Sequence, residues 1–338
     1  MTFIVIIFFV LCVCLFASFI ARGAYKIWEI VYPYVICPMF GLKPYKKWIV
    51  PNEWAVITGA TDGIGLGYAE EFASQGMNVY LISRTQAKLD NVAKSIEQQY
   101  GVSVRTYQLD FTTANVSDYE AIRVDLCDLD IGVLVNNVGI MPQGAAKFGE
   151  FNLQMLQDSV TVNCGSYAMM ISILLPKFLA KNRGLVLSMS SVLGTYPNTN
   201  VAIYSATKKF EIFLTQILDA EYRNDGIRFR AVVPATVATK SGPFMNQNFF
   251  TVTAKQLAHD SLYALDLNYS IEISGTVKHS LQFNFITFVC PELIWARYLS
   301  EKVIVTFDRM KTNRSLEQNE TVLHGNCHNN WQMEHKND

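Results

Sequence analysis

The stretch Trp54-Ala55-Val56-Ile57-Thr58-Gly59-Ala60-Thr61-Asp62-Gly63-Ile64-Gly65 decides the fold. Its first five residues are an apolar, β-branched run suited to a buried strand. The strand runs directly into a turn with glycines at 59, 63 and 65, after which an amphipathic helix begins. Glycines at these positions permit a tight turn and let the backbone approach a pyrophosphate, whose charge is then met by the helix N-terminus. A glycine triplet alone is common in loops; the strand before it and the helix after it give this one weight.

Outward from this turn, short β-branched runs alternate with longer amphipathic segments, the pattern of a parallel sheet wrapped by helices. We read strands near 54–58, 78–83, 103–109, 131–136, 184–189 and 227–233, and helices near 64–75, 86–99, 151–181 and 202–223. Gly76 and Gly226 sit where helices should end in a left-handed cap. Ile271–Val277 reads as a last edge strand. The expected architecture is α/β: a single doubly wound parallel-sheet domain over 53–280. Residues 281–308 follow as a membrane-associated or lid segment, and 309–338 as a polar, disordered tail.

Half of the 338 residues are hydrophobic and only 17% are charged, an apolar excess for a soluble domain. Phe3–Ala21 accounts for much of it: this run is long enough to cross a hydrocarbon layer of roughly 30 Å as a helix. It has no basic residue ahead of it and exceeds the core of a cleaved signal peptide, so it reads as a transmembrane anchor over 1–21. Arg22, Lys26, Lys43, Lys46 and Lys47 all follow it, which places the main domain on the cytosolic side. Residues 22–52 are expected to be a juxtamembrane linker, with Ile27–Leu42, broken by Pro33 and Pro38, lying at the interface. The net charge of -1 leaves no basic excess for nucleic acid. Seven scattered cysteines imply no disulfide framework. The sequons at Asn115, Asn268, Asn313 and Asn319 would be unused in the cytosol. The cluster His324, Cys327 and His328 lacks a second ligand group, so no metal is expected.

Tyr204-Ser205-Ala206-Thr207-Lys208 carries the chemistry. Positions four apart share a helix face, so phenol and ammonium point into one cleft. A free phenol titrates near pH 10 and is a poor base at neutrality; a nearby ammonium favours the phenolate. The spacing is common by chance and draws its meaning from its context. Ser190-Ser191 follows the strand 184–189, thirteen residues before Tyr204, and Asn163 lies within the long preceding helix, where asparagine is unfavourable.

With three residues between its first two glycines, the turn is wider than G-x-G-x-x-G, and together with these residues it resembles the short-chain dehydrogenase/reductase family over roughly residues 53–240. That resemblance implies a Rossmann-type sheet and a nicotinamide cofactor held by Gly59, Thr61, Gly63, Ile64, Gly65, Ser83, Arg84, Asp110, Asn137, Tyr204, Lys208, Val237 and Thr239. Ser83-Arg84 stands where an acid would select NADH; a hydroxyl and a guanidinium both donate to a phosphate, so NADPH is expected. Asp110 matches the adenine contact. Asn136-Asn137-Val138-Gly139 matches the family's Asn-Asn-Ala-Gly, and Pro234-Ala235 stands for Pro-Gly. The catalytic set implied is Tyr204, Lys208, Ser191 and Asn163: Tyr204 gives the proton, Ser191 also binds the substrate carbonyl, and Asn163 holds a water linking Lys208 to solvent.

The anchor, the glycine phrase, Ile203–Lys208 and Val237-Ala238-Thr239-Lys240 are similar to a membrane-bound branch of the family, the 17β-hydroxysteroid dehydrogenases and very-long-chain 3-oxoacyl-CoA reductases. Leu66 departs from that branch's lysine, and no clear dilysine signal closes the tail. The resemblance implies NADPH-dependent reduction of a keto group on a lipophilic small molecule at the endoplasmic reticulum membrane. A steroid ketone is the first substrate reading and a 3-oxoacyl-CoA the alternative; Phe244, Phe249 and Phe250 in the expected lid suit either. A homodimer is the protein partner allowed for. From another class, a catalytically silent cofactor-binding scaffold is opposed by the intact set Asn163, Ser191, Tyr204 and Lys208.

Overall fold

The computed structural model describes residues 2–142, 145–239, 251–267, 271–289, 294–295, 300–302 and 304–305. Lys240, Phe244, Phe249, Phe250, the sequons at Asn268, Asn313 and Asn319, and the tail with His324, Cys327 and His328 lie outside the described residues.

The chain opens with α1 (Thr2–Val31), passes through a π-helical turn at Tyr32–Ile36 and continues as α2 (Cys37–Met39). Together, Phe3–Met39 form one helical rod of 37 residues, long and apolar enough to cross a membrane. The helix therefore runs past Arg22, and the prolines do not break it. Pro33 falls inside the π-helical turn and Pro38 at its junction with α2, so the one departure from α geometry in the rod coincides with them. Nor does the stretch from Ile27 lie wholly apart from the domain: Pro33 and Cys37 are buried, and Tyr32 and Tyr34 pack against the main hydrophobic core.

The domain follows as β1 (Trp54–Thr58), α3 (Gly63–Ser74), β2 (Asn78–Ser83), α4 (Gln86–Tyr100), β3 (Val104–Gln108), α5 (Val116–Asp125) and β4 (Ile131–Asn136). Next come α6 (Leu153–Val160), α7 (Ser166–Lys181), β5 (Gly184–Met189), α8 (Ala202–Tyr222) and β6 (Ile227–Val232). The last described elements are β7 (Thr236–Ala238), β8 (Thr251–Thr253), α9 (Ala254–Tyr263), β9 (Glu272–Ile273) and α10 (Val277–Val289). The main sheet is seven-stranded and parallel throughout, in the order β3-β2-β1-β4-β5-β6-β9. Its order reverses at β1, which places a topological switch point beyond the C-terminal ends of β1 and β4. Both faces are covered, and β4 and β5 are buried at every position, which explains their unbroken apolar sequences. Gly76 and Gly226 have φ of +84° and +75°, as expected for chain reversal after a helix.

The sequence reading places no helix between β3 and β4, where α5 stands. Only Tyr119 and Ile122 of α5 are buried, too few to build a period, but Asn115 and Asp118 form a capping box that marks its start. The segment 151–181 reads as one helix; in the structure a π-helical turn, Thr161–Gly165, separates α6 from α7.

Candidate active site

At the switch point, Gly59 and Gly63 adopt φ of +65° and +56°, in the left-handed region. A Cβ on Gly65 would lie 2.3 Å from the Gly59 carbonyl oxygen and 2.6 Å from Asn137 Nδ2, so the turn has no room for a side chain there. The Asp62 carboxylate caps α3 by accepting from the Gly63 N–H at 2.8 Å. Thr58 Oγ1 accepts from the N–H groups of Asn137 and Val138, each at 2.9 Å, and Asn137 Nδ2 donates to the Thr58 carbonyl at 2.9 Å. These bonds lock the end of β1 to the end of β4. Thr61 and Ser83 share a hydroxyl hydrogen bond of 2.9 Å, tying the turn to the end of β2, where Arg84 is exposed. Asp110 Oδ1 accepts from the Thr112 N–H and hydroxyl, fixing the loop after β3. Ile64 packs on the core, Val237 is buried in β7, and Thr239 Cγ2 comes within 3.3 Å of where a Gly63 Cβ would stand. The cofactor residues read from the sequence thus gather along one edge. A cradle that a Cβ would fill, opening on a helix N-terminus, fits a dinucleotide pyrophosphate.

The catalytic candidates converge beside it. Tyr204 is half-buried, and the Lys208 Nζ lies 5.7 Å from the centroid of its ring and equally far from that of Tyr167. Lys208 is 4% exposed and donates to the Met189 carbonyl at 2.8 Å and to Glu211 Oε1 at 2.9 Å. Asn163 sits in the π-helical turn. Its side chain accepts from the Ile140 N–H and donates to the Ile140 carbonyl and to Thr207 Oγ1, at 2.8, 2.9 and 3.0 Å. The same turn thus aligns the loop after β4 with α8. Ser191 follows β5 and its Oγ accepts from the Leu193 N–H at 3.2 Å. That segment is clamped to α8, because Ser190 Oγ donates to the Lys208 carbonyl at 2.7 Å and Ser205 Oγ to the Leu193 carbonyl at 2.5 Å.

Two residues of this site are missed by the sequence reading, Thr58 and Glu211. Thr58 ends an apolar strand with a hydroxyl, which is a weak signal. Glu211 lies three residues after Lys208, on the same helix face, and is fully buried. Burial pushes its carboxyl up to about 8, the Lys208 charge pulling only partly the other way. Burial also disfavours the Lys208 ammonium, but the Glu211 carboxylate outweighs it and holds the lysine above its ordinary range. Among the described residues no group of three or more His, Cys, Asp or Glu is placed to hold a metal.

A glycine cradle at the switch point of a parallel sheet, with a tyrosine and a lysine one turn apart beside it, defines a dinucleotide-dependent oxidoreductase. The chain belongs to the short-chain dehydrogenase family, whose model matches residues 53–248. It is 34% identical over 276 residues to a Caenorhabditis elegans protein that bears a steroid dehydrogenase name, covering 81% of this chain and 85% of that one. It is 32% identical over 308 residues to the very-long-chain 3-oxoacyl-CoA reductase of Mus musculus, covering 89% and 91%. Among solved structures, a short-chain dehydrogenase from Sphingobium yanoikuyae in complex with NADPH superposes with a TM-score of 0.52 at 26% identity, covering 79% of this chain and 95% of that one. The protein is therefore an oxidoreductase that uses NAD(P) and acts on the hydroxyl or keto group of a small molecule.

Proposed function

We propose that this protein reduces the keto group of a lipophilic substrate with NADPH at the endoplasmic reticulum membrane, a steroid ketone being the first substrate reading. The observation that carries the reading is the placement of the Lys208 ammonium against the Tyr204 ring, within a frame that also holds Asn163 and Ser191. Bound in the glycine cradle, the cofactor supplies the hydride; the protein supplies proton and polarisation. Ser191 donates to the substrate oxygen as charge develops on it, and Tyr204 passes that oxygen a proton. Lys208 stabilises the phenolate left behind and returns a proton to it, and Asn163 orders the path by which Lys208 is then reprotonated from solvent. A 3-oxoacyl-CoA is the second reading, favoured by the mouse reductase that this chain matches over 91% of its length.

The apolar rod Phe3–Met39 and the basic residues after Ala21 support an anchored enzyme facing the cytosol, which protease protection of intact microsomes checks. Phe210, Phe213 and Ile217 are exposed on α8 and support a homodimer through that helix, testable by sedimentation in detergent. The decisive experiment is turnover of purified enzyme with NADPH against steroid ketones and 3-oxoacyl-CoAs, with Tyr204→Phe as control. We expect one substrate class to be reduced and Tyr204→Phe to bind NADPH while losing turnover by at least about a hundredfold. Silence toward both classes would favour a cofactor-binding scaffold, and turnover retained by Tyr204→Phe would sink the catalytic assignment.

A further inference from the structure

The Lys208 ammonium lies between two groups, and the roles above use only one of them. On one side is the Tyr204 ring, 5.7 Å from Nζ; on the other is Glu211 Oε1, at 2.9 Å. Glu211 has no solvent exposure, and its second oxygen, Oε2, has no hydrogen-bond partner among the described residues. A carboxylate buried with one oxygen orphaned is costly, and bearing a proton removes most of that cost. With Glu211 protonated, the pair is an ammonium beside a neutral acid, with its whole positive charge acting on Tyr204. Once Glu211 ionises, the pair is neutral overall.

We propose that Glu211 is a positioning residue behind the Tyr204–Lys208 pair: its carboxyl seats the ammonium and, on ionising, screens that charge from Tyr204, so that Tyr204 keeps its proton to a higher pH. The inference rests on the catalytic reading above.

The titratable groups facing Glu211 from its surroundings are few. Lys208 and Tyr204 lie on α8 itself; Tyr167 comes from α7 and Cys164 from the π-helical turn. Beyond the Met189 carbonyl, β5 and its end offer the hydroxyls of Ser188 and Ser190. Burial holds the Tyr167 proton well above the phenol range, where its hydroxyl donates to the Met189 carbonyl at 2.8 Å, and pushes the Cys164 thiol up to about 11. Neither changes charge between neutrality and mild alkali, whereas Glu211 does so at about 8. It is thus the group that turns a charged pair into a neutral one as the solution becomes alkaline.

The test compares wild type with Glu211→Gln, which keeps the shape but cannot ionise, and with Glu211→Val, which removes the orphaned oxygen and guards against a glutamine that fails to fold. Two readouts are needed. The first is ultraviolet absorbance titration of phenolate in the cofactor-free protein, with the Tyr204 component taken as the difference from Tyr204→Phe in each background. The second is the pH profile of NADPH-dependent reduction of a long-chain 3-oxoacyl-CoA and of a steroid ketone. The expected result is that the Tyr204 absorbance step and the alkaline limb of reduction both move to lower pH by about one unit, as for removal of one nearby buried charge. A lower rate with both midpoints unmoved would show a packing role alone and overturn the inference. Turnover retained by Tyr204→Phe would instead remove the catalytic reading, and this inference with it. An inactive Tyr204→Phe beside unmoved Glu211 midpoints would remove only the latter.

Discussion

Single side chains divide here into those that make the cradle and those that read what enters it. Thr58 belongs to the first group, because its hydroxyl accepts from two backbone N–H groups just past the end of β4. We propose that Arg84 belongs to the second. It is exposed beside the Thr61–Ser83 hydroxyl pair and makes no ion pair among the described residues, so its guanidinium is available to a 2′-phosphate. Arg84→Ala is expected to weaken NADPH binding by about tenfold or more while changing NADH binding little, as read by fluorescence titration of each cofactor. Equal losses would mean that Arg84 does not read the phosphate. The residues along this edge were legible in the sequence because each is fixed by a local demand: a left-handed φ at Gly59, a close approach at Gly65, a strand end at Ser83. Glu211 was not legible, because an acidic residue on a surface-length helix ordinarily faces water.

The reason emerges when α8 is taken as an element. Beside Ile212 it buries Lys208, Glu211, Thr215 and Asp219, and it exposes Phe210, Phe213 and Ile217, so polar groups share its inward face and apolar ones its outward face. Beyond Glu211, two of its inward polar groups are well paired: Thr215 bonds Ser188 at 2.9 Å, and Asp219 accepts from Arg230 Nη1 at 3.0 Å and Arg223 Nη2 at 2.6 Å. Arg230 is 1% exposed and also donates to the carbonyls of Leu265, Leu267 and Phe229, so one guanidinium joins α8, β6 and the segment after α9. Burial lowers the Arg230 pKa, with Asp219 opposing it. Asp219→Ala leaves that cation buried without its counter-charge and should cost about 3 kcal/mol, seen as a lower urea midpoint. Of the six long strands, β1, β2, β4 and β5 were legible as short apolar runs, and β3 and β6 as β-branched and aromatic residues interspersed with polar ones. The three-residue β7 and β8 and the sparsely buried α5 were not, since pattern needs length to accumulate.

For the molecule as a whole, stability against pH carries a signature from the contact of α3 with α9. His259 Nδ1 and Glu71 Oε1 lie 3.1 Å apart. The hydrogen bond to Glu71 raises the imidazole above its ordinary 6.5, burial opposing it. Burial pushes Glu71 up, but bonds from His259 and Gln75 with the neighbouring charges outweigh it and leave the carboxyl below 4.5. The histidine's share of stability is complete below pH 6.5 and fades as pH rises through its folded value; the glutamate's is complete above 4.5 and is lost as pH falls through its own. The difference in urea midpoint between wild type and His259→Gln should therefore be largest between pH 4.5 and 6.5 and shrink toward pH 8. A difference that is constant with pH would refute the linkage. The helical rod has a consequence of another kind. At 1.5 Å per residue, its first 22 or so residues span about 33 Å, close to a bilayer's hydrocarbon thickness. Yet Tyr25 already shares the wall of a cavity of about 470 Å³ with Val233, Ile273 and Phe283 of the domain. If the rod crosses a bilayer as proposed, the catalytic domain has no slack tether: it would rest on the headgroups and meet a lipophilic substrate as a solute of the membrane plane. Its rate would then follow molecules of substrate per area of lipid, and adding inert lipid would slow it at constant bulk concentration.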